Sequence, residues 1–517
     1  MNKVKLFLNN FLVYGFSGII SKVIPIIMIP IITRIMPNTE YFGVSDMLST
    51  ILSFASALAI MGMYDAMYRM FFEKEDKQYQ KEICSTAFIF SIGTSLFVFA
   101  LLIILKDYLA EWFLNDRALS NLIYITAIAT LVGGTNAIVA APTRMQNKRI
   151  VYVVMNAVFP IISYSISIPL LLNGYYLIAL PLASMISAVL NEIVFGILNR
   201  KWFSFKLFKA KYIKPLLLIA LPLLPNFIIY WIFESCDKLM ITNMVGIGAE
   251  GVYSVGAKFG HVSQLIYLAF TGGWQYFAFA TMKEEKQVEN NSRVFEYLGV
   301  ITFCCSMFMF ALSEPIFKLL FEAEYHSAFV VAPYLFLAPL LLMLFQVLDN
   351  QFLVVKKTWP NFFILAFGAG FNILLNWLFI PIMGIEGAAI ATLSGYLLAL
   401  ILCVIVLYFM KLVTIRLKFY LSVGLIIAYI LIWRLLTMDI IWLNVLMAVG
   451  MNAVIIFMYL SDLKILFRAF KRKDSAVNGN ENTDSAIPAV EEQSDANQAG
   501  TENVLENQVN TGKENES

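Results

Sequence analysis

The chain has 517 residues, of which 60% are hydrophobic and 14% charged, and its formal net charge is only +2. Soluble domains run near ~45–50% apolar and ~25% charged, so this composition excludes a soluble globular protein. It predicts an all-α integral membrane protein that crosses the bilayer many times.

A span needs roughly 20 mostly apolar residues. Fourteen stretches qualify: 9–33, 41–64, 84–105, 119–140, 150–172, 175–198, 215–238, 250–280, 295–314, 328–350, 361–382, 386–410, 417–436 and 441–461. The N-terminus MNKVK leads straight into the first, and no removable signal is expected. Connections are short, so no extramembrane part can hold its own core. With the N-terminus inside, 28 lysines and arginines fall in inner segments and six, Arg34, Lys106, Arg117, Lys238, Lys318 and Arg434, in outer segments or at span ends. This positive-inside split predicts a cytoplasmic-membrane protein with both termini cytoplasmic. Residues 474–517 hold ten acids and one lysine among Asn, Gln, Ser and Ala, which predicts a disordered cytoplasmic tail. The five cysteines show no paired or metal-type spacing and read as small buried hydrophobes. No metal, cofactor or nucleic-acid partner is expected.

An internal repeat organises the spans. EYFGVSDMLSTILSFAS and AEGVYSVGAKFGHVSQ align at a shift of 208, placing Gly43 on Gly251 and Val44 on Val252. A second pair aligns at a shift of 210, placing Gly174 on Gly384 and Ser184 on Ser394. Each unit carries six spans, so the halves share one orientation about an axis along the membrane normal. The expected domains are an N-terminal lobe (1–199), a basic linker (200–214), a C-terminal lobe (215–411), two extra spans (412–463) and a basic stop followed by the tail (464–517). Basic and aromatic residues alternate in the linker RKWFSFKLFKAKYIK. It fits an anionic inner leaflet or an ordinary positive-inside loop equally.

Polar residues inside the spans carry the functional signal. In span 1, Lys22 stands near the middle of SGIISKVIPIIMIPIITR, where a charge costs about 3 kcal/mol; Pro25 and Pro30 follow it, able to kink the helix and act as a hinge. In span 2, Asp46, Thr50, Ser53 and Ser56 recur at i, i+4, i+7 and i+10. The repeat places Ser254, Lys258, His261 and Gln264 of span 8 at the same offsets. The first three of each set share one face within about 60°, which must point to a bundle interior or wet cavity. The alternative is interhelical hydrogen-bond glue, a role that serine, threonine and histidine also serve. Span 7 adds Pro222 and Pro225 as hinge candidates and Glu234 and Asp237 as candidates for ion coupling or ion pairing, although Asp237 and Lys238 also fit the outer end of a span.

The run YGFSGIISKVIPIIMIPIITRIMPNTEYFGVSDM, then GMYDAMYRM, with a proline before Thr33-Arg34, then Tyr41-Phe42-Gly43, Gly62 and Arg69, resembles polysaccharide repeat-unit flippases. DKLMITNMVGIGAEGVYSVGAK resembles the same family's span 7 to span 8 junction. That family shares a superfamily with lipid II flippases and multidrug and toxin extrusion (MATE) exporters. The resemblance implies two six-helix lobes around a central cavity lined by spans 1, 2, 7 and 8, plus two C-terminal helices. It implies an undecaprenyl-diphosphate-linked oligosaccharide as substrate, moved by alternating access, with membrane lipid, a polysaccharide polymerase and glycosyltransferases as partners. Lys22 and Lys258, one per lobe, would compensate the diphosphate, with Arg34, Asp46, Thr50, Ser53, Ser254 and His261 as further cavity candidates. A MATE-type exporter of cations would want an acidic cavity. A membrane polymerase or glycosyltransferase would want paired acids or a histidine in a sizeable loop, and His261 and His326 are the only histidines.

Overall fold

The computed structural model describes residues 22–481, apart from 147, 269, 271–273, 275–277, 279–281, 283 and 358, and without the side chains of 149 and 465–481. Its helices follow the long apolar runs, and side-chain caps close two of the early ones. Helix α1 covers residues 22–35 and runs unbroken through Pro25 and Pro30. Asn38 then caps α2 (Thr39–Ile60), accepting the Glu40 backbone N–H at 3.1 Å, as N-cap asparagines do. Met61 and Gly62 turn left-handed and separate α2 from α3 (Met63–Phe71). Asp76 caps α4 (Lys77–Ile104) through the N–H groups of Gln78 and Tyr79. Next come α5 (Lys106–Leu114), α6 (Leu122–Met145), α7 (Arg149–Leu172) and α8 (Ala179–Asn199). Helices α2, α4, α6, α7 and α8 pack on one another as a first lobe.

The seventh span is broken. A short α9 (Ile213–Ala220) meets α10 (Leu224–Met244) through a 3-10 turn at Leu221–Leu223 that contains Pro222. Proline cannot donate a backbone bond. The two halves make different contacts. Helix α9 packs on α3 and α4, with Leu216 and Ala220 in one cluster with Met63, Met67 and Met70. Helix α10 instead packs on α11 (Ile247–Gly260), α14 (Trp359–Met383) and α15 (Ile385–Phe409). With α12 (Gln287–Leu320) and α13 (Ala332–Val354) these form the second lobe.

Helix α16 (Leu417–Ile432) is fastened to that lobe at both ends. Arg416 Nε bonds Glu296 Oε2 of α12 at 2.5 Å. Arg434, in the π-turn Trp433–Thr437, holds Glu386 of α15 by two nitrogens. Helix α17 (Ile441–Glu481) follows. The chain forms two compact units, Met1–Ile455 and Ile456–Ser517; among the described residues the second is the remainder of α17. Residues 474–481, expected in the tail, are helical, and the rest of the tail lies outside the described residues.

Twelve helices among the described residues are long and apolar enough to cross a membrane. They match candidates 2 to 7 and 9 to 14; candidates 1 and 8 fall partly outside the described residues. Large apolar side chains such as Ile104, Leu172, Leu319 and Phe409 stand exposed, as a multi-pass membrane protein requires. The cysteines are free thiols, with Cys84 and Cys403 buried.

The repeat is visible in the contacts. Gly174 and Gly384, aligned by sequence, both turn the chain at positive φ, +85° and +59°, a state glycine adopts at little cost. At the seam between lobes, residues meet their own equivalents. A Cβ on Gly251 would lie 3.0 Å from Gly43 N, and Ser254 Oγ bonds Asp46 Oδ2 across 208 positions. A pseudo-twofold axis running between α2 and α11 makes residue i touch residue i + 208, the self-complementary contact such symmetry imposes. The backbones approach so closely that a Cβ on Gly43 would sit 2.2 Å from Ile247 O. Small residues permit such contact between membrane helices.

Candidate functional site

Between the lobes lies a cavity of about 590 Å³. Helix α1 contributes Lys22, Pro25, Ile26, Ile29 and Ile32, and α2 contributes Phe42, Ser45, Asp46, Ser49, Thr50 and Ser53. Ser163, Tyr164, Leu180 and Ser184 come from α7 and α8. Glu234, Ser235 and Lys238 come from α10, and Ala257, Lys258, His261 and Gln264 line the opposite wall. At the Thr39 end the α2–α11 seam closes the cavity, with Ile29, Ile32 and Phe42 in one cluster with Val252, Val255, Phe321 and Tyr325.

Asp46 is the centre of the site. Its carboxylate is 3% exposed and receives two ammonium groups. Lys238 Nζ donates to Oδ2 at 2.7 Å, and Lys258 donates to Oδ1. The Ser254 hydroxyl reaches Oδ2 at 2.7 Å. Glu250 in turn meets Ser254 and is fully buried. The two lysines differ in environment: the Lys238 side chain is 16% exposed, whereas Lys258 is 37% exposed. Lys22 lines the cavity, exposed to it, and makes no ion pair among the described residues.

The polar stripe of α2 therefore faces the cavity as far as Ser53, whose hydroxyl accepts the Trp231 indole N–H of α10 at 3.3 Å. Ser56 leaves it and packs on Gly133 of α6. Ser254 is enclosed behind the cavity wall rather than lining it.

Three expectations are corrected by the packing. Arg34 lies outside the cavity, 3.8 Å from Glu322 and 3.4 Å from the Leu319 carbonyl. Pro25 and Pro30 do not break α1; of the proline candidates, Pro222 is the one inside a helix break, and Pro225 sits in the first turn of α10. Lys238 and Asp237 do not end a span, because α10 continues to Met244. Asp237 is buried and accepts hydrogen bonds from Tyr253, from Thr392 at 3.2 Å and from the Lys238 backbone at 2.7 Å. Glu234 opens on the cavity. Sequence reading missed Lys238 and Glu250 as site residues. No local signal marked Lys238: it pairs with the one aspartate of the span 2 stripe, 192 residues away.

Comparison with known proteins agrees with this architecture. A family profile described as "Polysaccharide biosynthesis protein" matches residues 31–330. The chain belongs to that family. No curated protein matches it. Among solved structures, the polysaccharide-biosynthesis chain resembles the lipid II flippase MurJ in an inward closed conformation, with a TM-score of 0.66 at 15% identity over 88% of this chain and 99% of that one. It also resembles an inward-facing multidrug-resistance MATE transporter (TM-score 0.54, 13% identity, 76% and 98% covered). A Vibrio cholerae MATE transporter, VcmN, superposes at 0.53 with 13% identity, covering 80% and 99%. These likenesses establish the two-lobed fold.

Proposed function

We propose that this polysaccharide-biosynthesis family member is a flippase carrying an oligosaccharide on an undecaprenyl-diphosphate-type lipid across the cytoplasmic membrane by alternating access. The observation that carries the reading is the set of three lysines at the cavity, Lys22, Lys238 and Lys258, two of them held by one carboxylate. A diphosphate cannot cross hydrocarbon unaided. In a low-dielectric cavity, ammonium groups attract it far more strongly than in water. Asp46 holds Lys238 and Lys258 in place until phosphate oxygens compete for them. Lys22, which makes no ion pair among the described residues, stands at the same cavity. Thr50, Ser53 and His261 offer hydroxyl and imidazole groups to the sugar or phosphate. With the N-terminus cytoplasmic, the closed seam is the outer one and the cavity faces the cytoplasm. Rocking of the lobes about the Pro222 turn would reverse this. Glu234, which opens on the cavity, is better placed for ion coupling than Asp237, which is filled by hydroxyl donors. A polymerase and glycosyltransferases would supply and consume the lipid-linked glycan.

A MATE-type exporter of organic cations is the second reading, since Glu234 faces the cavity; against it, Asp46 is already neutralised by two lysines. Reconstituted vesicles separate the two. Wild-type protein should move a diphosphate-linked glycolipid between leaflets. Lys22→Ala should insert normally and lose about ten- to a hundredfold in rate, the value of a charged hydrogen bond of ~1.5–3 kcal/mol. Lys22→Arg should recover part of it, keeping the charge in a different geometry. Full flipping by Lys22→Ala, or transport of cations instead, would overturn the assignment.

A further inference from the structure

One buried acid has no part in that reading. Glu250 lies in the first turn of α11 and is 0% exposed. Its Oε1 meets the Ser254 hydroxyl, and its Oε2 has no hydrogen-bond partner. The same Ser254 oxygen lies 2.7 Å from Asp46 Oδ2. A serine hydroxyl carries one hydrogen, so it can donate to only one of the two acids. The other oxygen–oxygen contact needs a proton on the acid itself. Asp46 has an ammonium on each oxygen, Lys258 on Oδ1 and Lys238 on Oδ2, which keeps it ionised. Glu250 receives no ammonium hydrogen bond. A proton on Glu250 satisfies both contacts, with donation running from Glu250 to Ser254 to Asp46.

The relay crosses the seam. Asp46 belongs to α2 in one lobe; Ser254 and Glu250 belong to α11 in the other. The Gly43–Gly251 backbone contact seals it from one end. We propose that Glu250 is a proton-binding site whose occupancy is required for the α2–α11 seam to close. The inference rests on the alternating-access reading. When the lobes part there, the Ser254–Asp46 bond breaks and water reaches Glu250. A hydrated carboxyl ionises near pH ~4.3, helped here by the N-terminus of α11. The closed state then holds one proton more than the open state, so lowering the pH favours closure and raising it favours opening. The charged and titratable neighbours are Asp46 on α2, Lys238 on α10 and Tyr253 on α11, with Lys258 reaching Glu250 only through Asp46. Two further acids reach α11: the Glu40 side chain of α2, with Thr39, lies against Gly248, and Asp237 of α10 accepts from Tyr253; elsewhere Ala328, Val331, Ala332 and Leu335 meet Gly256 and Gly260.

The test uses full-length protein in lipid nanodiscs without substrate. Its own cysteines are replaced, and spin labels are placed at Tyr175→Cys and Val245→Cys, exposed positions on opposite lobes at the sealed end. In the otherwise native chain, electron–electron distance measurements should show one short population at acid pH. A longer population should grow as pH rises, the ratio changing about tenfold per pH unit, as for one proton. Glu250→Gln, whose amide can donate to Ser254, should stay short at every pH. The infrared band of a protonated carboxyl should be present in the closed native chain and absent from Glu250→Gln. A native distribution that shifts without pH dependence, or a missing carboxyl band, overturns the proton site while leaving alternating access standing. A seam that stays shut at every pH, even with the diphosphate glycolipid added, overturns both.

Discussion

Asp46 concentrates more of the site's electrostatics than any other residue. Two ammonium groups share its carboxylate, and one of them, on Lys238, is largely shielded from water. Removing one partner of a buried pair costs about 3–5 kcal/mol, because the remaining charge has no compensation. Asp46→Ala should therefore lower the melting temperature of the purified protein in detergent, and adding Lys238→Met should restore part of it, the coupling expected of groups in direct contact. Lys22→Ala should melt as the native chain does, since Lys22 makes no ion pair among the described residues. A melting temperature unchanged by Asp46→Ala would refute the structural half of this account. The same residues mark a limit of sequence reading. The stripe Asp46, Thr50, Ser53 was legible because helical periodicity puts those positions on one face. The partner was not, because Lys238 sits beside Asp237 in sequence, and that adjacency suggested a polar helix end rather than a buried cation.

Two helical devices set what the lobes can do. The α2–α11 seam closes because neither Gly43 nor Gly251 has a side chain. Gly43→Val would place its Cβ 2.2 Å from the Ile247 carbonyl oxygen, and backbone cannot yield there cheaply. The variant should show the long Tyr175–Val245 distance at acid pH as well as alkaline, with transport reduced. A short distance in that variant would show that the contact does not hold the seam. The second device is the broken seventh span. Its first part, α9, packs on α3 and α4, whereas α10 packs mainly on the second lobe and also touches α2 and α5, so motion between the lobes would load the turn at Leu221–Leu223. Pro222→Ala allows a continuous helix there. It should slow flipping several-fold at unchanged expression and melting temperature; equal rates would remove the hinge role. Prolines alone could not identify this turn, since Pro25 and Pro30 lie in an unbroken helix.

At the scale of the molecule, orientation is the first quantity to test. The charge split predicts that single cysteines near Asp107 and Asn173 react with an impermeant thiol reagent in intact cells, whereas cysteines near Lys209 and Lys356 do not. Reaction at Lys209 would invert the topology. The linker is not a loose tether: Ser204 N bonds Ser85 Oγ at 3.0 Å, and Lys209 N bonds Thr86 Oγ1 at 3.1 Å. It is moored to α4, and so the first lobe carries the connection as far as α9. The extra span α16 is clamped to the second lobe by Arg416–Glu296 and Arg434–Glu386. A chain ending after Glu481 keeps every described helix and should flip at the native rate.

Composition alone determined that this chain lives in a bilayer, because so much apolar surface has no other stable environment. Its internal shift of 208 paired equivalent positions, Gly43 with Gly251 and Asp46 with Ser254; that these lie beside the axis and touch was decided by the tertiary structure. It also aligned Gly174 with Gly384, and the structure shows that both turn the chain at positive φ. Only the tertiary structure decided the charge pairing. Lys238 and Lys258 reach Asp46 from 192 and 212 residues away, and no local period encodes a contact between helices in different lobes. Glu250 stood at the expected edge of span 8, where an acid is unremarkable. It became a buried group because α11 begins three residues earlier, at Ile247, and because α2 packs against that first turn and excludes water from it.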